Sequence, residues 1–165
     1  MKKDIKQLLQ IIPNNHPALR VAHFTDTIDS LVDSIVEYSQ EYDIEYQLNM
    51  TNDLHFDNIK ERYTSPLTKV INFNLNRAKY MIQGKIYDFV FISTPIDSKN
   101  IDTFLKKVHP IIKNSGNIII LLDKRSDKNL WIKLLEDNYF VATSVIDDLL
   151  ADIDIIISKK MHGWK

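Results

Sequence analysis

The chain has 165 residues, 44% hydrophobic and 26% charged, with a formal net charge of -1, no cysteine and only three glycines. The length and apolar fraction fit one domain with a sizeable core. The absence of cysteine excludes disulfides, thiol catalysis and Cys-ligated metal centres. Near-neutral charge gives no global field for collecting nucleic acid or anionic lipid, so neither partner is indicated. Gly84, Gly116 and Gly163 stand far apart, and no GxGxxG or GxxxxGK[ST] phosphate cradle can be written. There is no long apolar leader and no run of the roughly 20 apolar residues a membrane span needs. A cytoplasmic protein is expected. Seventeen lysines against four arginines fit an AT-rich coding bias.

In chain order, Ile5, Leu8, Leu9 and Ile12 recur at i, i+3, i+4 and i+7, one face of a helix stopped by Pro13. Residues 1–13 are expected to dock on a domain spanning 14–165; the same stripe could instead hold a protein partner or a second copy. Asn14, Asn15 and Pro17 read as a turn. Leu19 to Phe24 reads as a strand, Thr27 as an N-cap, and Ile28, Leu31, Val32 and Ile35 as the buried stripe of a helix reaching Tyr42. Ile44, Tyr46 and Leu48 alternate with polar residues as a second strand, and a short helix is expected near Asn58 to Tyr63. Ile71, Phe73 and Leu75 alternate with asparagines, which predicts a strand with one solvated face or at a sheet edge.

Phe89 to Ile92 is a continuous apolar run, as in a strand covered on both faces. Ile101, Phe104, Leu105, Val108 and Ile112 form a helix stripe, which Asn114, Ser115 and Gly116 would terminate as a C-cap. Ile118 to Leu122 is a further apolar strand. Ser126 is expected to cap a helix carrying Leu130, Trp131, Leu134 and Leu135 to about Asn138. Phe140 to Ile146 and Ile153 to Ile157 are separated by too few residues for a parallel crossover, so they should pair antiparallel. The reading is α/β: a Rossmann-like three-layer sandwich with a mostly parallel open sheet of about seven strands and an antiparallel C-terminal strand.

This order resembles the class I S-adenosylmethionine-dependent methyltransferase fold over roughly residues 15 to 160. In that family the last of seven strands runs antiparallel between its neighbours. "YDFVFISTPI" from Tyr87 looks like its fourth strand, "FLKKVHPIIKNSGNIIILLDK" from Phe104 its turn into the fifth, and "DIDIIISKK" from Asp152 its closing strand. The resemblance implies a cofactor crevice beyond the first strand, lined by Phe24, Thr25, Asp26 and Thr27, with Asn49 at the ribose and Ser93, Thr94 and Pro95 near a substrate. The family's first loop is a GxGxG-like turn after an acidic residue. Here "RVAHFTDTID" places His23 at the acidic position and Thr25, Thr27 and Asp29 at the glycines. Side chains there fill ligand space, and Asp29 would set a carboxylate beside that of the cofactor. Asn49 offers the ribose neutral bonds in place of an acid's charge-assisted ones.

Two functions are weighed. One is a degenerate methyltransferase-like domain without ordinary cofactor binding, acting as an interaction or regulatory protein. The alternative is an active but divergent S-adenosylmethionine-dependent methyltransferase of unknown substrate; no cofactor is certain otherwise.

Ser93-Thr94-Pro95-Ile96 resembles the polar-x-Pro-Pro motif of amino-methylating members, yet lacks its second proline and aromatic, which favours a plain strand-to-helix turn. Asp88 is expected to bond a neighbouring loop. His16, His23, His55, His109 and His162 have no metal-ligand spacing, and no metal is expected. His23 could serve as a base at the crevice, although a hydrogen-bonded core histidine fits its place better. Asp147, Asp148, Asp152 and Asp154 read as a solvated hairpin turn. Trp164, among tail lysines, could stack a base; a disordered or sheet-packed tail is the more economical reading. A receiver domain would need an aspartate where Ser93 stands.

Overall fold

A computed structural model describes residues 2–15, 18–80 and 85–161. The expectations for Pro17, His16, His162, Trp164 and the glycines at 84 and 163 lie outside these residues. Helix α1 (Lys2–Leu9) is followed by β1 (Arg20–Thr25), α2 (Ser30–Tyr42), β2 (Glu45–Met50), α3 (Phe56–Tyr63), β3 (Thr68–Asn72), β4 (Tyr87–Ile92), α4 (Ile101–Val108), β5 (Ile112–Asp123), α5 (Lys128–Asp137), β6 (Phe140–Leu150) and β7 (Ile153–Lys160). The seven strands form one sheet in the order β3-β2-β1-β4-β5-β7-β6. All neighbours from β3 to β5 pair parallel, while β7 runs antiparallel to both β5 and β6.

The two-residue period of the strands divides the core. Phe89, Phe91 and Ile119 face one layer with Leu31, Val32 and Ile35 of α2, whereas Val90, Ile92, Ile118 and Ile120 face the other with Phe104 and Leu105 of α4 and Trp131 of α5. Continuous apolar text in β4 and β5 follows from having both faces covered. Ile5, Leu8, Leu9 and Ile12 are all buried, packed on α2 and on β6. The stripe of α1 is thus consumed within the chain, and among the described residues of the helix Lys6 and Gln7 are exposed. Leu8→Ala is expected to cost about 2–5 kcal/mol, the range for deleting a fully buried leucine side chain. Urea unfolding checks this; a loss below about 0.5 kcal/mol, the size of an ordinary surface change, would mean that α1 is no part of the cooperative core.

Several boundaries differ from the sequence expectation. The cap of α2 is Asp29 rather than Thr27: the Asp29 Oδ1 accepts from the N–H groups of Leu31 at 3.1 Å and Val32 at 3.2 Å. Likewise Asp127, not Ser126, caps α5 by accepting from Leu130 N at 3.0 Å. In both places a carboxylate outbids a nearby hydroxyl. Strand β3 lies at the sheet edge as expected but ends at Asn72, so Phe73 and Leu75 belong to the loop beyond it. Gly116 does not end a helix. Helix α4 stops at Val108, a short 3-10 turn carries Pro110, and Gly116 sits inside β5. Strand β6 runs to Leu150, leaving Ala151 and Asp152 as the turn before β7, with Asp152 at φ 61°.

Candidate functional site

The parallel strands end together, and their carboxyl ends carry the residues singled out in the sequence. Extended backbone carries the bonds at the tip of β1: Phe24 O accepts from Ser93 N at 2.9 Å and Thr94 N at 3.0 Å, and Thr25 O accepts from Thr51 N at 2.9 Å. Above it the hydroxyls of Thr51 and Thr94 bond each other at 2.8 Å, tying the end of β2 to the end of β4 across β1. The loop after β1 closes on itself. Thr25 Oγ1 donates to Thr27 O at 2.9 Å, and Asp29 holds the first amides of α2. No residue from Phe24 to Asp29 adopts a positive φ. The glycine-free loop therefore follows a path that ordinary side chains tolerate, rather than a strained copy of a glycine turn.

Two open cavities flank the segment Pro95–Asp97, which lines both. The first, about 730 Å³, lies over β2 and β3 and is bordered by Asn52, Asp53, Asn72, Asn76, Asn100 and Lys107, among others. Its floor adjoins an aromatic cluster in which Phe24 and Phe73 rings stand 5.0 Å apart and Phe73 and Tyr80 4.9 Å apart. Burial lifts the Tyr80 hydroxyl to a pKa of about 12, and it donates to Leu75 O at 2.5 Å. The second, about 670 Å³, lies over β4 and β5, with Ser93, Ile101, Leu130 and Trp131 on its walls and Asp97 and Asp152 among its acids.

The eight candidate residues separate. Ser93, Thr94 and Pro95 line the second cavity and Pro95 the first as well. Asp26 and Thr27 instead border a smaller cavity of about 350 Å³ beside His55 and Arg62. Phe24 is buried in the aromatic cluster, and Thr25 is fully buried. Asn49 does not reach a cavity: it is 1% exposed and its Oδ1 accepts from Gln47 Nε2 at 3.0 Å. Asn49 shares its face with Phe24 but sits inside β2 and is covered there, and the first residues beyond the strand to border the cavity are Thr51, Asn52 and Asp53. Asp53 was missed for lack of any local pattern; its only signal is its distance of three residues beyond β2. Asp97 and Lys107 carry no signal either, since a loop and a helix assembled from distant text bring them to the rim.

His23 is fully buried. Its Nδ1 lies 2.8 Å from Tyr46 Oη and its Nε2 lies 2.7 Å from Ser93 Oγ. Burial depresses its pKa to about 3, and burial first, then the charges of Asp29 and other neighbours, raises that of Tyr46 well above the ordinary tyrosine value. The ring is neutral at physiological pH, which matches the hydrogen-bonded core histidine expected. Asp88 Oδ2 accepts from Arg20 N at 2.9 Å, and so fastens the start of β1 to β4. Asp154 is a correction: it is 2% exposed rather than solvated, with Lys124 at 3.0 Å and Lys128 at 3.5 Å. Lys124 first, then Lys128, holds its carboxyl below the usual range. Among the described residues no three His, Asp or Glu side chains are placed to hold a metal ion.

The sheet order and the antiparallel β7 between β5 and β6 match solved structures. The CurJ carbon methyltransferase superposes with a TM-score of 0.73 at 11% identity, over 95% of this chain and 52% of that one. A protein of Listeria monocytogenes described as an S-adenosylmethionine-dependent methyltransferase gives 0.71 at 15% identity, over 98% of both chains. The chain has the class I methyltransferase fold. The [4+2]-cyclase SpnF shares that fold too, with a TM-score of 0.70 at 8% identity, over 98% of this chain and 81% of SpnF. Against CurJ this methyltransferase-like chain spans about half the length. No family model and no curated protein matches its sequence. Among the described residues no helix is long and apolar enough to cross a membrane.

Proposed function

We propose that this chain is a methyltransferase-like domain that does not bind S-adenosylmethionine in the ordinary way and works as an interaction or regulatory protein. The observation that carries the reading is the closed β1 tip. The fold's usual ligand needs the backbone after β1 to be bare and the α2 amides to be open to an anion. Here Asp29 occupies those amides with its own carboxylate, Thr25 and Thr27 fill the loop, and the Thr51–Thr94 bond of 2.8 Å spans the gap between β2 and β4. A carboxylate-bearing cofactor would have to displace one carboxylate and break two hydroxyl bonds. SpnF, named as a cyclase, supports separating this fold from any one reaction.

The alternative, an active but divergent methyltransferase, is favoured by the first cavity, where Asp53 and Asn72 border space over β2 and β3. One titration separates the two. At millimolar S-adenosylmethionine the melting temperature should not move and calorimetry should show no binding. A micromolar site would stabilise the domain by RT ln(1 + [L]/Kd), on the order of 2.7 kcal/mol at a hundredfold excess over Kd. That is a shift of roughly 5–11 °C for a chain this size, and observing it would overturn the first reading.

A further inference from the structure

Ser93 joins two features: it ends the buried series Tyr46–His23–Ser93, and it opens onto the 670 Å³ cavity beside Trp131. The direction of the hydrogen bonds in that series follows from satisfaction. Tyr46 is 1% exposed, and among the described residues its hydroxyl has one partner, His23 Nδ1 at 2.8 Å. If Nδ1 carried the ring proton, the Tyr46 O–H would be buried with nothing to accept it, at a cost of about 1–3 kcal/mol. Tyr46 therefore donates to Nδ1. The neutral ring then carries its proton on Nε2 and donates it to Ser93 Oγ at 2.7 Å. The Ser93 hydroxyl, with its oxygen held by His23, is left to donate away from the ring. His23 is accordingly no base for Ser93; it fixes Ser93 as a one-way donor at the cavity wall.

The rest of the cavity states what such a donor could meet. Ile101, Leu130 and Trp131 give it apolar walls, and among the described residues no lysine, arginine or histidine lines it. Of its carboxylates, Asp29 and Asp127 are spent on helix amides and Asp123 on Arg125. Asp97 and Asp152 have no side-chain partner among the described residues. An anion entering here would trade water for apolar walls and facing carboxylates, whereas a cation would be attracted.

We propose that this cavity binds an apolar-bodied amine carrying a carbonyl group, with Ser93 donating to the carbonyl oxygen and the unspent rim acids Asp97 and Asp152 facing the ammonium. His23 and Tyr46 are positioning residues, setting the direction of the Ser93 bond. This site stands whether or not a cofactor binds over β1.

The test is calorimetry on the full chain without S-adenosylmethionine, using three probes of one body: phenylalaninamide, N-acetylphenylalaninamide and 3-phenylpropionate. At about pH 6, where the free amine is charged, phenylalaninamide should bind about tenfold tighter than its acetylated form, and 3-phenylpropionate should not bind. Ser93→Ala should weaken phenylalaninamide about fivefold or more, and Asp97→Asn should shrink the preference for the charged probe. Nitrogen NMR of the His23 ring should show the proton on Nε2, a readout that a merely structural histidine need not give. The order of the probes on the unaltered chain and the His23 tautomer are both readable without any variant. Tight binding of 3-phenylpropionate, no binding of any probe at millimolar concentration, unchanged affinity in a folded Ser93→Ala chain, or an Nδ1–H ring would each overturn the proposal.

Discussion

Between pH 6.5 and 4 the domain is expected to lose stability steeply on account of its buried histidines. His23 is fully buried, and burial depresses its pKa to about 3. In the unfolded chain the same ring takes up a proton near pH 6.5. The folded state therefore binds fewer protons than the unfolded state throughout that window, so each fall in pH favours unfolding. No penalty exists above pH 6.5, and the penalty stops growing only once the folded ring itself protonates, near pH 3. One such group contributes roughly 1 kcal/mol per pH unit, several kcal/mol over the window, against a total of about 5–15 kcal/mol for a domain. His109 acts in the same direction: burial, then the charge of Lys160, lowers its pKa to about 4. Among the described residues its Nε2 has no hydrogen-bond partner, and its ring stands against Phe140 at 5.3 Å. Urea midpoints at pH 7, 6 and 5 measure the slope, and NMR of the ring protons assigns it. A His23 ring that titrates between pH 6 and 7 in the folded protein would refute this account. Asp154 acts later, since its lowered pKa keeps its contribution intact until the pH falls below the ordinary aspartate range.

The second large effect is expected at Gly116. Strand β5 pairs Ile112 with Tyr87 and then Asn117 with Phe89, so three extra residues bulge out between two registers. The bulge folds back tightly: a Cβ on Gly116 would stand 2.8 Å from Lys113 O, 2.9 Å from Ile112 Cγ2 and 3.0 Å from Asp88 O. Two of those atoms are backbone oxygens that cannot swing aside. Gly116 is thus required for space rather than for a left-handed backbone; the left-handed residue is its neighbour Ser115, at φ 67°. Gly116→Ala should cost about 1–3 kcal/mol, a typical price of overpacking, and Gly116→Val more. That corresponds to a melting shift of roughly 2–12 °C for a chain this size. Ser115→Gly, one position away, should be neutral or stabilising within about 1 kcal/mol, because it removes a left-handed strain. Equal tolerance of alanine at 116 and glycine at 115 would show that the bulge is looser than these distances imply.

Gly116 also marks what the sequence could and could not reveal. Apolar runs such as Phe89 to Ile92 and Ile118 to Leu122 have few alternatives to a doubly covered strand, and the short link from β6 to β7 forces their antiparallel pairing. Ends and turns are harder. A glycine after Asn114 and Ser115 reads as a helix stop, but Pro110 had already ended the helix and the glycine serves a bulge. Ile71, Phe73 and Leu75 keep period two past the end of β3, although the chain turns at Leu75 and Asn76, where Arg77 N donates to Asn74 O at 3.1 Å. At the site, the lack of glycine after β1 is plain in the sequence, because a glycine turn is a local, conformational pattern. Asn49 faces the same layer as its sheet partners Phe24 and Ile71 but lies buried below the cavity, a depth that no local pattern in the sequence records. The bond from His23 to Ser93 joins residues 70 apart and has no local trace.

The docking of α1 also sets an order of events in the making of this protein. Its apolar stripe, Ile5 to Ile12, finds cover on α2 and on β6, whose residues begin at Phe140. On a growing chain α2 is available early, but the β6 side of the seat is missing until nearly all of the domain has left the ribosome. Contacts across such a separation form late, and an amphipathic helix waiting for them is exposed to chaperones and to other nascent chains. Within this fold the seat of α1 is therefore completed late, when α1 closes against β6.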